Sequence, residues 1–278
     1  MSISASAFNF VRDLVRAESA IVLETGKEYL VESRLVALAR DGGYRDVDAY
    51  VEDLALRRNP VALNQVVEAL TTNETSWFRD SDPFTALRQT VFPELAKARP
   101  QRQIRIWAAA CSSGQEPYSI LMTAQDTPEL AGWKVEMIAS DLSQEMVDRA
   151  RRGEYSQLEV NRGLPATTLV KHFERAGVNW RINPALAAQV QFRQLNLVRP
   201  FPPMGRFDVV FLRNVLIYFD LETKRDILRR VRQVMAPDGH LFLGAAEMTM
   251  GVDESWERVP AGRSSIYRIR EGVPSFAS

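Results

Sequence analysis

The 278 residues suffice for one large domain and a small companion, and an apolar content of 46% can fill a core. Lysine plus arginine equals aspartate plus glutamate at 35 each, so no global basic field gathers nucleic acid or anionic lipid, and neither nucleic-acid binding nor membrane insertion is expected. The single cysteine, Cys111, and the two histidines, His172 and His240, leave no internal disulfide and no zinc spacing; without a signal-like N-terminus or a run of roughly 18 apolar residues, a cytoplasmic protein without a metal is expected.

From about Ser6 to Leu70 apolar residues recur three and four apart: Phe8, Val11, Leu14 and Val15; Tyr29, Leu30, Leu35 and Leu38; Tyr50, Val51 and Leu54; Leu63, Val66, Val67 and Leu70. This spacing predicts four or five short helices, broken at Gly26, at Gly42-Gly43 and at Asn59-Pro60, where asparagine caps and proline suits the next first turn. A polar stretch from Thr71 to Ser76 follows, then Trp77-Phe78-Arg79-Asp80, and Asp82-Pro83 opens a helix through Leu95.

From Ile104 the pattern changes to short apolar runs alternating with amphipathic helices. The runs Ile104 to Ala110, Val135 to Ala139, Val190 to Leu195, Phe207 to Leu212 and His240 to Ala245 read as strands. Between them lie helices from Pro117 to Gln125, from Ser143 as cap to Arg151, and from Asp220 to Met235, the last ended by the turn Pro237-Asp238-Gly239. Such alternation implies an α/β fold with a mostly parallel, doubly wound sheet that binds ligands at its strands' carboxyl ends. Residues 153–188 interrupt it, with a helix from Leu164 to Arg175 and a strand from Asn179 to Ile182; the segment reads as an insertion that forms a partner surface or is decoration.

Polar and small residues gather where the strands stop. Ala110 runs into Cys111-Ser112-Ser113-Gly114-Gln115-Glu116, a turn that a ligand can approach closely, yet one lacking both the Gly-Lys-Ser/Thr of a nucleotide loop and the full glycine pattern of a pyrophosphate seat. A nucleoside cofactor without phosphates suits it, and S-adenosylmethionine is the obvious one. Asp141, 27 residues past Gly114, can accept from both ribose hydroxyls or cap the following helix. Asn196 can read an adenine edge or simply turn the chain, and Arg213-Asn214 ends the fourth strand.

Five stretches in order, TTNETSWFRD (Thr71 to Asp80), WAAACSSGQEPYS (Trp107 to Ser119), ASDL (Ala139 to Leu142), Asn196-Leu197 and FDVVFLRNVLIYFD (Phe207 to Asp220), resemble the motif set of the CheR-type chemotaxis-receptor glutamate O-methyltransferases. The resemblance spans nearly the whole chain. It implies a Rossmann-like methyltransferase domain over residues 73–278 with a small β-rich subdomain inserted at about 153–188, and an N-terminal all-helical domain over residues 1–72 that helps cover the cofactor and contacts receptor. It also implies that Asn73, Thr75 and Arg79 line S-adenosylmethionine from the domain junction. Glu116 would serve its methionine or ribose side, Asp141 with Leu142 the ribose, Asn196 and Leu197 the adenine region, and Asn214 with Val215 the amino-acid portion. Ala110 stands where many methyltransferases carry glycine. The substrate implied is a glutamate on a chemoreceptor's cytoplasmic helical bundle, with S-adenosylhomocysteine as by-product.

A glutamate with a pKa of about 4.3 is ionised near neutral pH and needs no general base, and the sequence offers no convincing one. Arg79 is the first candidate to orient it, unless engaged by Asp80, Asp82 or the cofactor's carboxylate. Tyr218, with its hydroxyl near the transferred methyl, is the second, against simple packing between Ile217 and Phe219. Trp77 and Phe78 read as a staple between the domains rather than an adenine stack. Lys27 and Arg34, seven apart, share a helix face that can meet an acidic bundle, although solvated charges are the plainer reading. Some family members bind a receptor's C-terminal peptide through a longer, glycine-containing loop in the insertion; here Glu174 to Trp180 is short, so a tether-independent enzyme is expected. Nothing suggests obligate assembly, and a monomer is expected. A small-molecule methyltransferase, a non-catalytic cofactor-binding regulator and, third, a dehydrogenase remain as alternatives.

Overall fold

A computed structural model describes residues 3–272. The chain divides into two compact units: residues up to Thr72 with Tyr218–Thr223, and Asn73–Ile217 with the chain from Lys224 onward. The first contains α1 (Ala5–Ser19), α2 (Glu28–Asp41), α3 (Val47–Arg57) and α4 (Pro60–Ala69). Phe8, Val11 and Val15, Val31 and Leu35, Val51 and Leu54, and Val66 and Val67 are buried at helical spacing. Caps set the starts. Ser4 accepts from Ala7 N at α1, and Asn59 accepts from Val61 and Ala62 N at α4, ahead of Pro60.

The shared face expected for Lys27 and Arg34 does not form. Lys27 is the residue before α2, and the half-buried Arg34 turns inward, donating to the carbonyls of Ala69 (3.1 Å) and Thr71. Carbonyls at and beyond a helix end lack intrahelical partners, so a nearby guanidinium is better bound there than in solvent.

The second unit opens with α5 (Asp82–Ala86), a π-turn (Leu87–Val91) and α6 (Phe92–Ala98). The single helix expected here is interrupted because Pro93 has no N–H and its ring would strike the carbonyl one turn back; Phe92 N instead reaches Leu87 O, five residues away. The sheet then places β1 (Gln103–Ala109), β2 (Lys134–Asp141), β6 (Val190–Gln194), β7 (Phe207–Leu212), β8 (Met235–Leu243), β9 (Trp256–Ala261) and β10 (Ser264–Ile269) in the order β6-β2-β1-β7-β8-β10-β9. The five strands through β8 run parallel, and β10 and β9 close the edge antiparallel. The chain leaves β1 in one direction and returns beside it as β7, so the crevice between the carboxyl ends of β1 and β7 is the topological switch point.

α7 (Gln115–Gln125), α8 (Gln144–Arg152) and α12 (Leu221–Gln233) are the crossover helices. α12 ends before Met235, and Pro237-Asp238-Gly239 lies inside β8 rather than in a turn, at the irregularity where pairing jumps from Phe207–Met235 to Val209–His240. In the insertion, β3 (Glu154–Tyr155), β5 (Asn179–Ile182) and β4 (Phe173–Ala176) form an antiparallel sheet in that order, with α9 (Gln157–Val160), α10 (Ala166–His172) and α11 (Pro184–Ala187) around it. α10 stops short of the expected Arg175 because Phe173–Ala176 pairs with β5. Trp77 lies within the second unit. Its buried ring packs edge-on against Tyr155 (4.9 Å) and Phe173 (5.2 Å) of the insertion, and Phe78 packs on Phe84 (5.3 Å). Gly163 has φ +96°, and a Cβ there would lie 2.2 Å from Trp77 O. Among the described residues no helix is long and apolar enough to cross a membrane.

Candidate active site

The turn after β1 is built from left-handed backbone: Ala110 at φ 58°, Ser112 at 49° and Gly114 at 95°. Two of these positions carry side chains in a region that favours glycine, so neighbouring bonds must hold them. Cys111 N donates to Ser140 O (2.9 Å), Ser112 N to Asp141 Oδ2 (2.7 Å), Ser112 Oγ to Asn73 O (2.7 Å) and Tyr155 Oη to Ser113 O (2.8 Å). Gly114 is required twice over, because a Cβ there would also come within 2.9 Å of Ala150 Cβ on α8. Asp141 is buried at the end of β2, and its other oxygen accepts from Ser143 N (3.0 Å); Ser143, not Asp141, caps α8 by accepting from Met146 N. Cys111 is buried, and burial beside Asp141 and Glu116 pushes its thiol well up, so it is no nucleophile.

A second cluster centres on Arg213, just past β7, whose side chain is 1% exposed. It donates to Glu116 Oε2 (2.7 Å), Asp80 Oδ2 (2.6 Å) and Arg79 O (3.0 Å), so one guanidinium joins the first turn of α7 to the strained segment 78–81, where Phe78, Asp80 and Ser81 all have positive φ. Burial pushes the Glu116 carboxyl up, and Arg213 works against that rise. The acids expected to compete for Arg79 are elsewhere: Asp80 on Arg213 and Asp82 near Arg263 (3.8 Å). Arg79 Nη1 donates only to Glu74 O (3.1 Å), which leaves its guanidinium without a carboxylate among the described residues.

The third cluster follows β7. Asn214, at φ 57°, and Val215 give their N–H groups to the Glu247 carboxylate at 2.7 and 2.8 Å. Around β2 and β6, Gln194 Nε2 donates to Leu142 O (3.0 Å), and Asn196 accepts from Val198 N (3.1 Å) in the turn geometry weighed against an adenine contact; Leu197 is buried beside it. Thr75 is half-buried in the segment between Asn73 and Trp77. Tyr218 belongs to the helical unit, where its carbonyl accepts from Val22 N (3.1 Å). Neither histidine is at the strand ends: His172 closes α10, and His240 sits within β8 against Glu94 (3.2 Å).

Sequence reasoning placed Arg213 among the polar residues where strands stop but gave it no role, and it did not single out Glu247. Both carry the signal used for the other positions, a polar side chain just beyond a strand.

Residues 6–71 match the CheR methyltransferase, all-alpha domain, and residues 73–264 the CheR methyltransferase, SAM binding domain. Chemotaxis protein methyltransferase 1 of Pseudomonas aeruginosa is 41% identical over 277 residues, covering 97% of this chain and 100% of that protein. Chemotaxis protein methyltransferase Cher2 of Pseudomonas putida is 38% identical over 275 residues, at 97% and 100%. The match runs through both units and each of the strand-end turns described above, and on it the chain belongs to the CheR methyltransferase family.

Proposed function

We propose that this protein transfers the methyl group of S-adenosylmethionine to glutamate carboxylates on the cytoplasmic helices of chemoreceptors, leaving glutamate methyl esters and S-adenosylhomocysteine. The observation that carries the reading is the family match over nearly the whole chain, residues 6–71 and 73–264. Residues 1–72 act as the helical domain and 73–278 as the methyltransferase domain, with 153–188 as its inserted subdomain. The protein works as a cytoplasmic monomer without nucleic acid, metal or receptor tether.

Bound S-adenosylmethionine supplies an electrophilic methyl on a sulfonium sulfur. The residues present suit it: a left-handed turn that brings backbone close, acceptors at Glu116 and Asp141, and no phosphate seat. Asn73, Thr75, Arg79, Ala110, Glu116, Asp141, Leu142, Asn196, Leu197, Asn214 and Val215 would hold it.

In-line displacement at carbon asks mainly for positioning. A substrate carboxylate is already a nucleophile at neutral pH, and the distance of both histidines from the strand ends agrees with a reaction that needs no base. Arg79 orients the carboxylate, because its guanidinium holds no internal carboxylate and can offer a two-pronged contact. Tyr218 is the second candidate to orient the carboxylate.

The test is tritium transfer from labelled cofactor to receptor cytoplasmic fragments, with release by base marking a carboxyl ester. Base-stable label points to another acceptor, and cofactor binding without transfer to a non-catalytic regulator. Micromolar binding of a receptor C-terminal peptide in calorimetry would overturn tether independence.

A further inference from the structure

We propose that Glu247 is a positioning residue that builds the cofactor's amino-acid subsite by holding the backbone of residues 214–217; this rests on the reading of Asn214 and Val215 as cofactor residues. Glu247 lies beyond the last parallel strand, β8, and is buried. Its Oε1 accepts from the N–H groups of Val215 (2.8 Å), Leu216 (2.7 Å) and Ile217 (3.3 Å). Its Oε2 accepts from Asn214 N (2.7 Å) and Gly244 N (2.7 Å). One carboxylate therefore gathers five backbone donors, four of them consecutive along the turn after the neighbouring strand β7.

Four successive N–H groups turned onto one acceptor force the chain to wrap around it, which is the geometry of a backbone anion nest. The left-handed Asn214 is where that wrapping begins, in a residue type that tolerates this conformation. Gly244 leaves the room. A Cβ there would lie 2.7 Å from Glu247 Oε2, 2.8 Å from Asn214 Nδ2 and 2.9 Å from Asn214 N. The nest turns the N–H groups of this loop inward onto Glu247, so its carbonyls and side chains are what remain to meet a ligand.

Glu247→Gln keeps the shape but replaces one acceptor oxygen by an NH2 that points donors at donors. Whichever oxygen is replaced, two or three of the five backbone donors lose their acceptor, and the displaced Asn214–Val215 backbone predicts a rise on the order of 10- to 100-fold in both the Kd for S-adenosylhomocysteine and the KM for S-adenosylmethionine, the equivalent of about one hydrogen bond to a charged group. The rise in KM exceeds the fall in kcat. Glu247→Asp, which keeps two acceptor oxygens, recovers part of the loss, and Gly244→Ala, which keeps the carboxylate but crowds the nest, reproduces the weakened binding.

Calorimetric titration well below each variant's melting midpoint, normalised to folded protein by near-ultraviolet circular dichroism, provides the measurement. Folded Glu247→Gln and Gly244→Ala with wild-type affinity would overturn the positioning role, as would a lowered melting midpoint with unchanged Kd. Wild-type protein that binds no S-adenosylhomocysteine overturns the cofactor reading itself, a failure distinct from the other two.

Discussion

Replacing Arg213 by methionine tests whether one buried guanidinium holds the site together. The side chain is 1% exposed and has partners of unequal weight. Asp80 is 43% exposed at its side chain, so that pair is screened and contributes at most about 1 kcal/mol. Glu116 is only 12% exposed, and removing its partner leaves a buried carboxylate that must stay charged at a cost of about 3–5 kcal/mol or take up a proton. Because burial already pushes Glu116 up, protonation is the cheaper route and brings the expected loss to roughly 3 kcal/mol. At about 2–4 °C per kcal/mol for a domain of this size, the melting midpoint falls by roughly 6–12 °C.

The sign with pH is fixed as well. With Arg213 gone, folded Glu116 binds its proton more tightly than the unfolded chain, so stability declines as pH rises from about 4.3 through the raised folded value. The deficit against wild type is accordingly smaller near about pH 5 than near about pH 8. Arg213→Met with Glu116→Gln removes the orphaned charge and recovers most of the loss. Urea unfolding of the three proteins at both pH values reads this directly; a deficit independent of pH, or a double variant no more stable than Arg213→Met, refutes the reasoning.

Arg79→Ala is expected to lose methyl transfer to receptor fragments while keeping its far-ultraviolet circular dichroism, and wild-type turnover would remove Arg79 from the mechanism. Gly163→Ala forces a Cβ onto Trp77 O at φ +96°, and a loss above about 2 kcal/mol is expected in thermal melting; an unchanged midpoint would show that the loop yields freely. Burial holds His172 and His240 below the usual histidine value, helped by Lys171 and Arg268 respectively and opposed at His240 by Glu94. Their neutral folded forms contribute stability above about pH 6.5 that is lost as pH falls below it towards their depressed values, and His172→Gln should flatten that slope; an identical profile would exclude His172 as a source.

What was legible in the sequence was local. β7 is bounded as its apolar run predicts because Phe207–Leu212 is buried throughout, as suits a central parallel strand. β9 and β10 were not anticipated: they are half-exposed, antiparallel and near the sheet edge, and β9 contains Pro260, so neither shows a continuous or alternating apolar pattern. The break at the π-turn was likewise hidden, since Pro93 sits in an otherwise periodic stretch. Asp141, Asn196, Arg213 and Asn214 announced themselves by standing where strands stop, whereas the contacts they make were hidden, since Arg213 reaches Asp80 133 positions away and Asn214 is held by Glu247 33 positions away.

The acids of this sheet share a geometry that single-strand reading cannot supply. Asp141, the last residue of β2, takes an N–H from the turn after its neighbour β1; Glu247, after β8, takes four from the turn after its neighbour β7; and Glu116, after β1, takes the guanidinium of Arg213 from the end of β7, again the adjacent strand. Neighbouring strands lie about 4.8 Å apart, a gap that one acidic side chain can span from the end of one strand to the turn of the next. The turns after β1 and β7 are therefore each shaped by an acid from a strand beside them. A substitution at Asp141, Glu116 or Glu247 should then be felt first in the adjacent turn, and only through that turn in whatever the crevice binds.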